Sequence, residues 1–302
     1  MLIRNLLISL TIIFKFMKSQ KPNYRSIYTS SLSCEMGRLQ SPLNLQEVYS
    51  NFNSSVNILY TDYNTIPKAK LGWSQDGRIL QVNEIGGSAQ NNFGYIGFDR
   101  GGVIKQYSLT KIEINTPAEH QIEGVNYDIE IKLIHEKMLP FETNVNQFRR
   151  IPDGNKYLII SLLYSKDSGS SDNGLLKYLV SSWSGSNDPF YYDKFFNLDL
   201  NSFDLIRDRR WFFYEGSFTY FPCDETVNHI VIRDPFVTDD LEAIKNIYLG
   251  KYNSAIISKP VNEDYGRPIY RNYMNVTEIL TGGFIKANFM YLFIFILISL
   301  LI

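Results

Sequence analysis

The sequence predicts a mainly β protein, and composition and residue patterning both favour this class. The chain has 302 residues, of which 44% are hydrophobic and 15% aromatic, enough to bury a large core. Aromatic and β-branched side chains favour strands. Many short runs alternate polar and apolar residues, which is the period of a half-buried strand. The net charge of −1 argues against a nucleic-acid-binding protein, which usually carries a basic surplus.

Residues 1–21 have the pattern of a secretory signal peptide. Arg4 precedes a compact apolar run from Leu6 to Phe14. The first 34 residues also contain several serines and no Asp or Glu, which a mitochondrial transit peptide would share. Because the apolar run is compact rather than spread at helical spacing, the sequence favours secretion, with a mitochondrial membrane as the alternative.

Two alternating runs near the middle of the chain predict a pair of strands. In residues 111–116 and again in residues 127–135, polar side chains alternate with isoleucine and leucine. The polar members are Lys111, Glu113, Asn115, Asp128, Glu130 and Lys132. Side chains two apart in a strand point to the same side, so each strand is expected to carry one polar face.

Residues 284–302 form a C-terminal hydrophobic tail that predicts attachment to a membrane. The last fourteen residues, FMYLFIFILISLLI, are fewer than the roughly 20 that a spanning helix needs. Gly282 and Gly283 precede the tail, as small residues precede the tail of a glycosylphosphatidylinositol (GPI) attachment signal. A plain tail anchor is the alternative.

The chain has two cysteines, Cys34 and Cys223. An even count in a secreted chain predicts one disulfide closing a long loop, and two unrelated buried thiols are the alternative. Asn53 and Asn275 begin N-x-S/T sequons, which makes them candidate glycosylation sites in the secretory pathway.

Five segments, in chain order, resemble signatures of the α-type carbonic anhydrases. They are GRLQSPLNL (37–45), DGRILQV (76–82), AEHQIEGVNYDIEIKLIHEK (118–137), YEGSFTYFPCDETVNHIVI (214–232) and DYGRPIYRN (264–272). The resemblance implies an α+β arrangement, a single domain over about residues 22–280 with a large, mostly antiparallel twisted central sheet and short surface helices. It also implies a Cys34–Cys223 disulfide, because secreted members of the family join these two places.

In that family three histidines hold a zinc ion, which turns its bound water into hydroxide at neutral pH. At the matching positions this chain has Glu113, Asn115 and Lys132. Glu can bind zinc, Asn does so poorly, and a protonated Lys has no lone pair to offer. The resemblance therefore implies an inactive member with no catalytic residue, metal or cofactor. A zinc enzyme with displaced ligands is the alternative.

Part of the surrounding site matches the family. Thr219, Glu119, Glu130 and His120 stand where family members orient the zinc-bound hydroxide or support its ligands, and they are expected to persist as a fold-supporting hydrogen-bond network. Arg78 stands where fast members have a proton-shuttle histidine, and a guanidinium cannot shuttle protons.

Without a metal ion, the polar side chains at the bottom of the site would have to pair with one another. We expect the Lys132 ammonium to find carboxylate partners in Glu113 and Glu130. The alternative is an open, wet cavity into which Lys132 snorkels. In either case Arg78, Lys111, Lys132 and Tyr220 are candidate cavity contacts for an anionic group.

Three function classes follow, and binding or adhesion at the cell surface is favoured. The partner would be an unknown protein or an anionic surface ligand. An enzyme is the second class, but no nucleophile elbow, metalloprotease helix or P-loop motif is present in the sequence. A structural subunit of a membrane complex is the third. The basic run RDRR at 207–210 is interpreted as a solvated turn rather than a polyanion-binding patch.

Overall fold

Strands are the main regular secondary structure of the described chain. The computed structural model describes residues 34, 36–74, 79–84, 93–138, 155–166, 174–183, 195–252, 258–275 and 278. Arg78, residues 1–21 and the tail 284–302 lie outside these ranges. Within them, no helix is long and apolar enough to cross a membrane.

The elements follow in chain order. The strands are β1 Asn44–Leu45, β2 Asn51–Phe52, β3 Val56–Tyr63, β4 Ile66–Trp73, β5 Leu80–Glu84, β6 Gly94–Arg100, β7 Val103–Asn115, β8 Gln121–Ile122, β9 Val125–Asn126, β10 Ile129–Lys137, β11 Tyr157–Ser165, β12 Phe196–Leu198, β13 Trp211–Gly216, β14 Val227–Ile232, β15 Phe236–Val237 and β16 Tyr270–Arg271. The helices are α1 Leu175–Ser181 and α2 Leu241–Tyr252, with 3₁₀ turns at Glu47–Tyr49 and Leu200–Phe203.

One 13-stranded sheet organises the molecule. Its main path runs β12-β4-β5-β7-β10-β11-β14-β13-β16-β2, with β6 pairing to β7, β3 to β6 and β15 to β11. Most neighbours are antiparallel, but β11–β14, β11–β15 and β16–β2 are parallel. A small sheet, β1-β8-β9, lies apart from it. The predicted mainly β class with a large, mostly antiparallel twisted sheet is therefore confirmed, with parallel pairs that make the sheet mixed.

The two predicted strands lie next to each other at the centre of this sheet. β7 contains the run 111–116 up to Asn115, and β10 contains most of the run 127–135; they pair antiparallel. Five of their apolar side chains are fully buried in the main core: Ile112, Ile114, Ile129, Ile131 and Leu133. Helix α2 also contributes to this core through Tyr248, whose ring lies 5.2 Å from that of Trp73. The polar residues occupy the other face.

A disulfide joins Cys34 to Cys223, as the resemblance implied. It connects the start of the described chain to the segment after β13. Nearby, Gly216 ends β13 directly against Ser41, and a Cβ on Gly216 would overlap the Ser41 hydroxyl. The glycine of the YEGSF segment is therefore required by close packing against the QSP segment.

Candidate functional site

Strand pairing places the three expected ligand positions side by side. Lys132 of β10 lies opposite Glu113 of β7 on one side and opposite Ser161 of β11 on the other. Asn115, two residues along β7, lies opposite Glu130. Residues directly opposite each other in neighbouring strands present their side chains on the same face. We call the group Glu113, Asn115, Glu119, Lys132 and Thr219 the polar cluster.

Lys132 is the centre of the polar cluster and is only 2% exposed. Its Nζ forms an ion pair with Glu119 Oε2 and donates a hydrogen bond to Thr219 Oγ1 at 2.9 Å. Burial alone would lower the pKa of this ammonium, but the Glu119 and Glu130 carboxylates outweigh it and raise the pKa above its ordinary value. Lys132 is therefore a buried cation at neutral pH.

This geometry corrects the expected pairing of Lys132. The carboxylate that binds its ammonium is Glu119, which precedes β8, rather than Glu113 or Glu130. Strand register places Glu113 beside Lys132, but the ammonium donates its hydrogen bonds to Glu119 and Thr219 instead. The snorkelling alternative is also wrong, because the side chain is closed off from solvent.

Glu119 has a second donor that sequence reasoning did not find. The backbone N–H of Lys259 donates to Glu119 Oε1 at 3.1 Å, while the Lys259 ammonium donates to Gln40 Oε1 at 3.1 Å. Burial lowers the pKa of Lys259 to about 8. Lys259 lies in none of the five recognised segments, so only the folded chain could bring it to the site.

Glu113 and Tyr220 form a second, weaker contact at the cluster. The Tyr220 hydroxyl lies 3.4 Å from Glu113 Oε1 and donates to it. Burial raises the pKa of the Glu113 carboxyl, and burial together with Glu113 raises that of Tyr220 well above its usual value. Lys111, on the same strand, is exposed. Of the four candidate cavity contacts, therefore, Lys132 and Tyr220 belong to this site, Lys111 lies at its exposed edge, and Arg78 is outside the described residues.

The expected supporting network is formed around Glu130. Its Oε2 accepts from the backbone N–H groups of Glu119 and His120 at 2.9 and 3.0 Å, and its Oε1 accepts from His120 Nδ1 at 2.7 Å. Burial opposes ionisation, but His120 and Lys132 hold the pKa of Glu130 well below its usual range. His120 Nε2 lies 2.6 Å from the Tyr214 hydroxyl, which donates to Ser41 at 3.1 Å.

A zinc ion does not fit these donors. Lys132, which the resemblance places at a ligand position, brings an ammonium to the centre of the cluster, and an ammonium has no lone pair and repels a divalent cation. Within the described residues, no group of three or more His, Cys, Asp or Glu is placed to hold a metal. Two buried polar atoms near Lys132 along the strands, Asn115 Oδ1 and Ser161 Oγ, have no hydrogen-bond partner in that part of the chain.

Two surface cavities lie away from the polar cluster. One, of about 880 Å³, is partly lined by Arg207, Arg209 and Arg210. Arg210 makes a two-point contact with Asp234 at 2.6 and 2.9 Å, which neutralises part of this basic run. The second cavity, of about 410 Å³, lies beside β1.

Comparison with known proteins identifies the family to which this chain belongs. The family model for eukaryotic-type carbonic anhydrases matches residues 23–274. The chain therefore belongs to the eukaryotic-type carbonic anhydrase family.

Individual relatives are distant and include carbonic anhydrases and dioscorins. A carbonic anhydrase of Nostoc sp. is 25% identical over 232 residues, covering 76% of this chain and 75% of the relative. Dioscorin dioA3 of Dioscorea japonica is 24% identical over 201 residues, covering 67% of this chain and 63% of its own length.

Solved structures show the same fold. The crystal structure of dioscorin complexed with ascorbate has a TM-score of 0.60 at 23% identity, covering 84% of this chain and 94% of dioscorin. The α-carbonic anhydrase of Thermovibrio ammonificans, in complex with the inhibitor sulfanilamide, has a TM-score of 0.58 at 19% identity and covers 79% and 89%.

Proposed function

We propose that this protein is a carbonic-anhydrase-like surface protein that does not hydrate CO₂ and that acts in binding or adhesion. The observation that supports the loss of CO₂ hydration is the ion pair of Lys132 with Glu119, together with the hydrogen bond from Lys132 to Thr219. Thr219 and Glu119 match the pair that orients hydroxide in the family, and here both are engaged by an ammonium. The Lys132 ammonium binds the two side chains that would otherwise orient a metal-bound hydroxide.

The chemical consequence is the loss of a nucleophile. Hydration of CO₂ at neutral pH requires water with a pKa near 7, which zinc supplies when it is bound. A buried ammonium that already donates to Glu119 and Thr219 offers no comparable acidity, because its pKa lies above its ordinary value. The scaffold would then act through its surface, displayed at a membrane by the tail 284–302 after export by residues 1–21.

Zinc content and CO₂ hydration, measured on one sample of the purified full chain, test the proposal. We expect substoichiometric zinc by elemental mass spectrometry and no hydration above the uncatalysed rate. An active α-carbonic anhydrase processed in parallel is the control for zinc loss during purification. One zinc per chain together with hydration would overturn the proposal in favour of displaced ligands. Zinc without hydration would point to a relocated site, with His120, His135 and His229 as the first residues to substitute.

Restoring the histidines tests the placement of the three residues. The triple variant Glu113→His, Asn115→His, Lys132→His presents three imidazoles on two paired strands and should take up zinc that the parent does not. The matched control replaces only Glu113 and Asn115 and keeps the ammonium, so it should remain free of zinc. A folded triple variant that binds no zinc would contradict the assignment of these residues to the ligand positions.

Display at a membrane is tested separately in cells. A GPI-anchored chain should be released from intact cells by a phosphatidylinositol-specific phospholipase C, whereas a tail anchor should resist it. Recovery of the protein in mitochondria would contradict the surface assignment and favour the structural-subunit alternative.

A further inference from the structure

The smaller cavity, beside β1, has an apolar floor and two exposed aromatic side chains. Its volume is about 410 Å³, within the usual range of small-molecule pockets. Leu43 and Ile269, 1% and 2% exposed, belong to its lining and form an apolar floor. Tyr49 and Tyr265, also in the lining, are 68% and 62% exposed. We call this cavity the tyrosine pocket.

Tyr49 is displayed on a short turn that is anchored from two directions. It ends the 3₁₀ turn Glu47–Tyr49, where Glu47 Oε1 accepts from Arg233 Nε at 2.8 Å. The following residue, Ser50, accepts from the buried Arg271 at 2.7 Å through its hydroxyl and 2.9 Å through its carbonyl. The turn is therefore held in place although the Tyr49 side chain is exposed to solvent.

Tyr265 is displayed on a second anchored turn. Its backbone is in the left-handed region, with φ of 52°, a conformation that costs free energy for a non-glycine residue. Asp264 Oδ1 accepts from Gly266 N–H at 2.8 Å, and Arg267 secures the turn by donating to the carbonyls of Asp264 at 3.1 Å and Gln40 at 2.7 Å. Strained backbone that is held so firmly is typical of functional sites.

The polar part of the lining is made of amides and carboxylates. Its members are Asn44, Gln46, Asn262, Glu263 and Asp264. No lysine or arginine lines the pocket among the described residues, so an anionic ligand would find no counter-charge. Amide groups both donate and accept hydrogen bonds, and carboxylates accept two or more. Such a lining suits a ligand rich in hydroxyl groups.

We propose that the tyrosine pocket binds one ring of a neutral saccharide. A pyranose has a face of C–H groups, which packs on an aromatic ring, and an edge of hydroxyls, which pairs with amides and carboxylates. Tyr49 and Tyr265 supply the rings, and Gln46 and Glu263 supply polar groups at the rim. The anchored turns lower the ordering cost of binding. This site is independent of the polar cluster and stands whether or not the chain binds zinc.

Binding of the full chain to immobilised neutral polysaccharides tests the proposal. The panel comprises glucose, mannose, galactose and N-acetylglucosamine polymers. We expect at least one to bind, with little dependence on salt. Tyr265→Ala and Tyr49→Ala should each weaken binding by about tenfold or more, as loss of an aromatic anchor does. The matched control is Tyr60→Ala, an exposed tyrosine on β3 outside the pocket, which should bind as the parent does.

Three results would overturn the proposal. One is no binding of the parent to any polymer of the panel. Another is binding that survives in the Tyr49→Ala, Tyr265→Ala double variant while circular dichroism shows that it is folded. The third is salt-sensitive capture of polylysine that both tyrosine variants lose, since this would make the pocket a site for basic peptides through Glu263 and Asp264.

Discussion

At the scale of single residues, Lys132 decides the chemistry of the site. The Lys132 ammonium is buried beside the Glu119 carboxylate, and the negative charges of Glu119 and Glu130 raise its pKa. Removing one partner of such a pair leaves an uncompensated buried charge, which costs far more than the pair contributes. We therefore expect Lys132 to matter for stability through its charge.

Substituting Lys132→Met is expected to lower the free energy of unfolding by roughly 3–5 kcal/mol, because the buried Glu119 carboxylate would then lose the cation that balances its charge. Urea unfolding at neutral pH measures the change. The double variant Lys132→Met, Glu119→Gln should recover part of the loss, since it removes both charges.

Lys156→Met provides the matched control. Its ammonium pairs with Glu136 at 3.2 Å, but the two side chains are 59% and 43% exposed. Exposed pairs contribute little to stability because water and salt screen them, so this variant should unfold close to the parent. If Lys132→Met were equally mild, the buried ion pair would not be a stabilising element and its proposed role would be wrong.

At the scale of elements, His135 joins three strands. From β10 its Nδ1 donates to the Leu158 carbonyl of β11 at 3.1 Å, and its Nε2 lies 3.0 Å from the Tyr63 hydroxyl of β3 and accepts from it. Burial lowers the pKa of His135 to about 4. The neutral imidazole is thus a fixed part of the packing between the strands.

The stability of the protein should fall as the medium becomes acidic. As the pH falls, His135 takes up a proton at a pKa of about 6.5 in the unfolded chain but only at about 4 in the folded chain. The contribution of His135 to stability is therefore complete above pH 6.5 and declines toward pH 4. This one group should remove about 2 kcal/mol between pH 7 and pH 5. Urea unfolding of the parent and of His135→Gln at both pH values measures it.

The informative quantity is the loss of stability between the two pH values rather than the stability itself. His135→Gln should lose less than the parent over this interval. Part of the loss should persist, because burial also holds the pKa of His229 well below its usual value. Equal losses in parent and variant would show that His135 is protonated as easily in the folded chain as in the unfolded one.

At the scale of the whole molecule, the disulfide links distant parts of the chain. Cys34 and Cys223 are separated by 189 positions, so the bond restricts most of the unfolded chain. Loop-closure entropy for such a length corresponds to roughly 5 kcal/mol. Replacing both cysteines by serine should lower the free energy of unfolding by an amount of this order.

Reduction of the parent provides the matching measurement. Dithiothreitol should lower the parent's unfolding midpoint in urea to that of the Cys34→Ser, Cys223→Ser variant. The midpoint of the variant itself should not change. A parent that unfolds at the same urea concentration with and without reductant would show that the bond contributes nothing to stability.

Local pattern predicted a substantial part of this structure. Alternation alone placed the central strands, because a strand half buried in a sheet repeats its environment every two residues. The segments shared with the carbonic anhydrases implied the sheet and the Cys34–Cys223 bond. The network of His120 and Glu130 also followed, since both residues lie in one recognised segment.

The tertiary structure decided which groups meet across the chain. Glu113 is opposite Lys132 in the neighbouring strand, yet Glu119 binds the Lys132 ammonium. The lysine side chain is long enough to contact a residue outside the two paired strands. Tyr49 and Tyr265 gave no periodic signal and line one pocket because distant segments meet there, as in the pairing of Leu43 with Asn262. Periodicity reports the burial of a residue, whereas the partner of a buried charge or an exposed ring depends on contacts between segments far apart in sequence.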